Sequence, residues 1–348
     1  MDTVESVIKA HIRTHGPMTI ETFMGLALGH PQHGYYMTRD PLGVAGDFTT
    51  APEISQLFGE MVGICLADAW LRAGAPPFHL VELGPGRGTL MADILRATKN
   101  VPAFHARMHL HLVETSPVLR AKQDEALKDY RPTWHASGDT LPDDAPLLVV
   151  ANEFFDALPI RQLMLTENGL VEQVVGLEGE KLTMGLAPAP STLLPRRVKN
   201  NEIIEISPIR ETVMEGLAIR IGTQGGMLLA IDYGHDTPEP AGDTFQAVYK
   251  HRFCDPLEHV GDADLTSHVD FHALKAIAKR HGCEAYGSIS QKEFLEAMGI
   301  HARYAQLNDT KLESGLMRLL DPNDMGNLFK VIAVTSSGFS PAAPSNRA

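Results

Sequence analysis

The chain has 348 residues, 44% of them hydrophobic, and its 43 acidic side chains outnumber 30 basic ones for a net charge of −13. It can bury a substantial core, and its length suits two domains or one large decorated domain. The basic residues are scattered, which disfavours a nucleic-acid partner, and no apolar run approaches the roughly 18 residues needed to cross a bilayer, so no membrane insertion is expected. Cys65, Cys254 and Cys283 lie far apart and read as free thiols. The start, MDTVESVIKAHIRTHG, has early acids and no signal-type apolar core, and points to a bacterial cytoplasm.

Residues 1–75 read as a helical and loop region covering a site, with ISQLFGEMVGICLADAWLRAG its clearest helix. In GDFTTAPEIS, Asp47 follows a glycine, and Thr50 to Glu53 could open a helix with Pro52 in its first turn. The α/β core is expected in two halves, residues 76–160 and 207–336. Its strands are His79–Leu83, Met108–Glu114, Leu147–Ala151 and Met227–Asp232, with helices between them, and crossover connections make the sheet doubly wound and mostly parallel.

The first strand runs into Gly84, Pro85, Gly86 and Gly88 before a helix from Thr89. Glycine there permits positive φ and removes a Cβ that would block a ligand, while the helix start offers free N–H groups. A dinucleotide fingerprint needs a third glycine where Thr89 stands, so a nicotinamide enzyme is a distant reading. With Glu82 two residues ahead, the pattern E-x-G-x-G-x-G resembles motif I of the class I methyltransferases, which bind S-adenosyl-L-methionine. Glu114, ending the second strand, is the ribose candidate, or else a solvated strand-end carboxylate. Asp139 sits where many class I methyltransferases hold the adenine amino group, though it could equally be a turn aspartate.

ANEFFDALP follows the third strand, where open sheets bind ligands. Asn152, Glu153 and Asp156 are its catalytic candidates, and Asp156 could alternatively cap a helix. Residues 161–206 read as an inserted antiparallel meander turning at ENG and EGE. Ser207 and Pro208 then start the helix IRETVMEGLAIRIG. Asp232, Tyr233 and His235 close the fourth strand and are substrate-side candidates, although DYG can also be a strand-ending turn. Residues 233–270 form a long segment expected to act as a lid before the helix Phe271–His281, and 337–348 are expected to be a disordered tail. His30 and His33, like His109 and His111, lack convincing metal-ligand spacing, so no metal is expected.

Together HPQHGYY, GDFTTAPEISQLFGE, VELGPGRGTLMADILR, HLVETSP, NEFFDALP, IDYGH and DLTSHVDF resemble the MidA family, in this order and across most of the chain. That family includes a mitochondrial complex I assembly factor with methyltransferase activity. The resemblance implies a class I S-adenosyl-L-methionine-dependent fold and symmetric dimethylation of arginine on the complex I subunit equivalent to the 49 kDa component. By the same analogy, Asp47 and Glu53 belong to a segment closing over the cofactor, with Glu53 towards the substrate. The chemistry is compatible, because a permanently charged guanidinium needs carboxylates to hold its planar fork and take its proton. The alternatives are a methyltransferase acting on a small molecule or another protein atom, and a cofactor-binding assembly chaperone without turnover. The sequence leaves a homodimer open.

Overall fold

The computed structural model describes residues 3–40, 50–193, 201–238 and 242–347. The chain forms two compact units, one comprising Met1–Phe48, Asp156–Thr212 and Thr237–Asp270, the other Thr49–Phe155, Val213–Asp236 and Phe271–Ala348. Both are discontinuous in sequence. The region expected as residues 1–75 is accordingly divided between them.

The larger unit is the α/β core, and its elements are numbered here in chain order. Its strands are β1 (Phe78–Leu83), β2 (Met108–Val113), β3 (Thr133–His135), β4 (Leu147–Asn152), β5 (Gly226–His235), β6 (Glu284–Ser290) and β7 (Phe329–Thr335). They lie in the order β3-β2-β1-β4-β5-β7-β6. The first five are mutually parallel, and β7 runs antiparallel between β5 and β6. Every residue of β1 and β4 is buried. A parallel strand covered on both faces favours apolar residues throughout, which β4 supplies up to Asn152, whereas β1 also buries His79 and Glu82.

The helices of this unit include α1 (Ala51–Ile54), α2 (Gln56–Arg72), α3 (Thr89–Ala97), α4 (Pro117–Leu127), α5 (Pro208–Gln224, from Val213 onward) and α6 (Phe271–Arg280). The segment expected as one helix from Ile54 is broken at Ser55, whose φ of −158° is extended and whose hydroxyl caps α2 through the Leu57 N–H. In α4, Ser116 accepts from the Leu119 N–H and Pro117 occupies the first turn, as helix-start chemistry favours. Trp70, Phe78 and Phe104 pack together with ring centroids 4.7–5.5 Å apart, all fully buried. Each contributes on the order of 1.5–3 kcal/mol by leaving water.

The expected disordered tail is instead packed as far as residue 347. Phe339 and Ala343 are buried, the Gly287 N–H donates to the Asn346 carbonyl, and Arg347 bridges to Tyr286. A few apolar side chains in a small polar stretch are enough to fix it against a strand edge.

The smaller unit holds the antiparallel strands Arg161–Thr166, Gly169–Glu178, Lys181–Pro188 and Ile203–Ile206, where the meander was expected. The segment read as a long lid loop contains three short strands, Gln246–Tyr249, Arg252–Cys254 and Asp264–Thr266, which form a sheet of their own.

Candidate cofactor and active site

At the end of β1 the chain turns through Gly84, Gly86 and Gly88 with φ of +60°, +54° and +84°. The turn is tied to the neighbouring strand by the Gly84 N–H on the Val113 carbonyl, and closed by the Gly88 N–H on the carbonyl of Pro85. A Cβ on Gly84 would lie 3.0 Å from the Phe154 ring. The bare backbone of Gly84 thus lets the Phe154 ring pack on it, and that of Gly88 accommodates Leu127 and Gln123, ahead of the amino end of α3.

Two acids lie beneath the turn. Glu82 is buried, takes a hydrogen bond from the Met91 backbone, and has no hydrogen-bond partner for Oε2 among the described residues. Burial, reinforced by the charge of Glu114, pushes its carboxyl up to about 8. Glu114 accepts at Oε1 from the N–H groups of Thr115 (2.8 Å) and Ser116 (2.7 Å), and at Oε2 from Gln123 (3.1 Å). Burial raises its pKa against the pull of those donors.

Gln123, on α4, is fully buried and was not singled out from the sequence. Its Nε2 donates to the Gly86 carbonyl at 2.7 Å as well as to Glu114, and its Oε1 accepts from the Trp134 indole at 2.8 Å. One amide thus fixes the distance between glycine turn and strand-end acid.

α1 covers the turn from the amino-terminal side. Glu53 accepts from the Thr89 hydroxyl, and its other oxygen meets Arg87 at 3.2 Å. The Ala51 N–H donates to Glu153 Oε1 at 3.1 Å. Asp47, expected in the same segment, lies outside the described residues.

Glu153 follows β4 with a φ of +49°, a left-handed conformation that is costly for a residue bearing a Cβ. Its N–H bonds the Ile231 carbonyl at 2.9 Å, and its carboxylate takes Asn152 Nδ2 at 3.2 Å. Asn152 Oδ1 is buried and without a hydrogen-bond partner among the described residues. Asp232, fully buried, accepts from the Phe155 N–H at 3.0 Å and the Tyr233 N–H at 2.9 Å. It therefore positions the ANEFF turn from inside the core, where the sequence reading had it on the substrate side. Tyr233 stacks edge-on with Phe329, and His235 Nδ1 is buried with no hydrogen-bond partner among the described residues. Asp139 is exposed in a short 3-10 turn, paired with its neighbour Ser137 at 3.0 Å.

In the smaller unit Asp156 is buried, and its carbonyl accepts from Arg210 Nη2 (3.0 Å) and the Ser267 N–H (3.2 Å). It caps no helix, because the chain continues through a turn into Arg161–Thr166. Tyr36 donates to Asp264 Oδ1 at 2.7 Å. Burial, then the charges of Asp264 and Asp156, hold the Tyr36 hydroxyl well above the usual phenol range. Tyr36, Asp264 and Arg210 were not singled out in the sequence, although HPQHGYY ends on Tyr36 and DLTSHVDF begins with Asp264.

Among the described residues no cluster of three or more His, Cys, Asp or Glu could hold a metal. The residues present fit an organic ligand with hydroxyl and cationic groups: a bare glycine cradle, a strand-end carboxylate, and the unpartnered oxygens of Glu82 and Asn152.

Comparison with known proteins gives concordant results. The model of a family described as S-adenosyl-L-methionine-dependent methyltransferases matches residues 61–289. The chain is similar to protein arginine methyltransferase NDUFAF7 homolog, mitochondrial, of Drosophila melanogaster, with 36% identity covering 94% of this chain and 83% of that protein. It is also similar to the corresponding protein of Danio rerio (37%, covering 92% and 84%) and of Homo sapiens (34%, covering 93% and 81%). In fold it is similar to a Burkholderia thailandensis protein solved bound to S-adenosyl-homocysteine, with a TM-score of 0.86, 24% identity, and coverage of 99% and 95%.

Proposed function

The chain belongs to the S-adenosyl-L-methionine-dependent methyltransferase family, and from that premise we propose that it methylates an arginine side chain of a protein substrate. The observation that carries this reading is Glu153, a carboxylate on a strained backbone after the carboxyl end of β4, linked to the glycine turn through α1 and followed by Phe154, whose ring packs on Gly84. The naming of relatives at 34–37% identity as protein arginine methyltransferases supports it. Strain at a residue over-determined by its neighbours marks functional positions.

The cofactor, when bound, supplies an electrophilic methyl group on a sulfonium. The glycine turn and the amino end of α3 would receive its methionine part, and Glu114 its ribose. Asp139 would lie towards the adenine, and Glu82 would support the turn from below. Glu153 would hold the guanidinium by one edge, fixing which nitrogen faces the methyl, and would accept the proton that nitrogen loses. Asn152 would complete the hydrogen bonding of the same group through its free oxygen. Asp156, Tyr233, His235 and Glu53 remain candidates for the substrate side, and Asp47 for the cofactor side.

For the substrate we propose the complex I subunit equivalent to the 49 kDa component, symmetrically dimethylated during assembly in a bacterial cytoplasm. Among the described residues no helix is long and apolar enough to cross a membrane. The test is transfer of labelled methyl from S-adenosyl-L-methionine to that purified subunit, with the modified residue read by mass spectrometry. Glu153→Gln keeps the shape and the Asn152 neighbour but removes the charge, so transfer should fall at least a hundredfold while S-adenosyl-homocysteine still binds. Transfer to lysine or to a small molecule, or full activity in Glu153→Gln, would overturn the arginine reading.

A further inference from the structure

Three imidazoles on neighbouring strands of the core are joined in one file. His79 Nδ1 on β1 lies 3.0 Å from His111 Nε2 on β2, and His111 Nδ1 lies 3.0 Å from His135 Nε2 on β3. At one end His79 Nε2 meets Asp144 Oδ1 at 2.9 Å, and at the other His135 Nδ1 meets the Thr140 hydroxyl at 2.9 Å. The file crosses the sheet diagonally, from the start of β1 towards the strand ends that carry Glu114. A cleft of about 330 Å³ opens beside it, lined among others by His79, His109, His111, Tyr130, Arg131 and Asp144.

The protons can be counted. Four contacts in the file each need one proton, and an ionised Asp144, held below its usual range by the His79 hydrogen bond, supplies none. Three neutral imidazoles supply three. The fourth must then come from the Thr140 hydroxyl, which also lies 3.0 Å from the Ser137 carbonyl and can serve only one of the two acceptors at a time. With neutral rings, all three imidazoles carry their proton on Nε2 and Thr140 donates to His135. If one proton enters at His79, that ring becomes a double donor. His111 and His135 both pass their proton from Nε2 to Nδ1, and Thr140 is released to donate to Ser137.

We propose that Asp144, His79, His111, His135 and Thr140 form a proton-operated relay whose reversal tightens the Ser137–Thr140 turn carrying Asp139. The rest of that turn is already fixed, since Arg220 on α5 donates to the carbonyls of Asp139, Leu141 and Pro142. The Thr140 hydroxyl is its switchable contact. The added proton does not rest on the inner rings. Burial and the neighbouring histidines His79, His135 and His109 hold His111 down at about 4 against the pull of Asp144, while burial, Arg220 and Arg120 lower His135. His79, at the mouth of the file, faces the Asp144 carboxylate at 2.9 Å. His135 also receives the Glu114 N–H on its carbonyl, so the relay ends beside the ribose acid.

The experiment is two-bond ¹H–¹⁵N NMR of the histidine rings between pH 8 and pH 5, on the wild type, Asp144→Asn and Thr140→Val. In the wild type His111 and His135 should pass together from the Nε2–H to the Nδ1–H tautomer without becoming imidazolium. Asp144 is exposed, so its asparagine variant should fold normally and need more acid for the reversal. Fixed tautomers across the range, or rings that each charge independently, would overturn the relay. The link to function rests on the cofactor reading and has its own readout, S-adenosyl-homocysteine affinity against pH. One hydrogen bond gained in the turn should tighten binding by about three- to ten-fold on the acid side, and Thr140→Val should abolish that change. Tautomer reversal with a flat wild-type affinity would overturn the coupling, and no binding at any pH would overturn the cofactor reading while leaving the relay standing.

Discussion

Replacing Gln123 by leucine tests whether one buried amide sets the cofactor site. The side chain is fully buried and makes three hydrogen bonds, so leucine fills nearly the same volume while orphaning the Trp134 N–H, the Gly86 carbonyl and Glu114 Oε2. A buried polar group left unpaired costs about 1–3 kcal/mol. Gly86 is only partly buried and water can replace its partner, so the two remaining groups give about 2–6 kcal/mol in all. Urea unfolding at pH 7 measures this, and calorimetry with S-adenosyl-homocysteine should show binding weakened at least tenfold, because Glu114 and the glycine turn lose their common tether. Gln123→Glu separates packing from charge: it keeps an acceptor for Trp134 but adds a third carboxylate beside Glu82 and Glu114, so its stability should fall relative to wild type as pH rises. A Gln123→Leu variant within 1 kcal/mol of wild type and with unchanged affinity would refute the assignment.

Glu82→Gln should change the pH profile of stability. The folded carboxyl titrates near 8, above its unfolded value, so the native state holds the extra proton between about pH 4.5 and 8. Wild-type stability from this group is intact below that window and declines through it, by up to about 1.4 kcal/mol per pH unit. Glutamine should flatten the decline in urea titrations, and parallel profiles would sink the claim. Gly86→Val places a β-branched residue at a φ of +54° inside the cradle, and should abolish S-adenosyl-homocysteine binding in calorimetry. Asp232→Asn leaves one oxygen for two backbone donors, so the ANEFF turn should loosen. Methyl transfer should drop at least tenfold while cofactor affinity stays within about twofold, and an unchanged rate would return Asp232 to an incidental core position.

The core strands were legible because buried parallel strands are rich in valine and leucine even where His79, Glu82, His109 and His111 interrupt them, and the glycine turn because no other residue takes three positive φ values in five positions at little cost. Glu82 and Glu114 followed from their spacing to it. Gln123 did not, since a glutamine in an amphipathic helix reads as surface, and only the long-range approach of α4 to the turn buries it. The histidines were visible as an HxH pair on one strand face, but their partners on β1 and β3 come from strand register, which no local pattern encodes. The presumed lid hid three strands of three or four residues, too short for alternation to stand out among turn residues. Phe339 was the available sign that the tail packs, and composition averaged it away.

The strained backbone at Glu153 shows how the site is assembled. A left-handed glutamate is disfavoured by about 1–2 kcal/mol, so something must hold it, and the hold comes from the next strand rather than from its own loop. Ile231 on β5 receives its N–H and Asp232, one residue on, receives the N–H of Phe155, so β5 grips the turn at two points. The glutamate side chain is gripped separately, by the Ala51 N–H of α1, while Glu53 in the same helix holds Arg87 and Thr89 of the glycine turn. α1 therefore connects the glycine turn to the carboxylate proposed to orient the acceptor. A ligand that rearranges Arg87 or Thr89 would act on Glu53, and through Pro52 and Ala51 on the hydrogen bond that aims Glu153. If the proposed roles of the glycine turn and Glu153 hold, this short helix, which has no side-chain cap of its own, would couple cofactor binding to acceptor alignment.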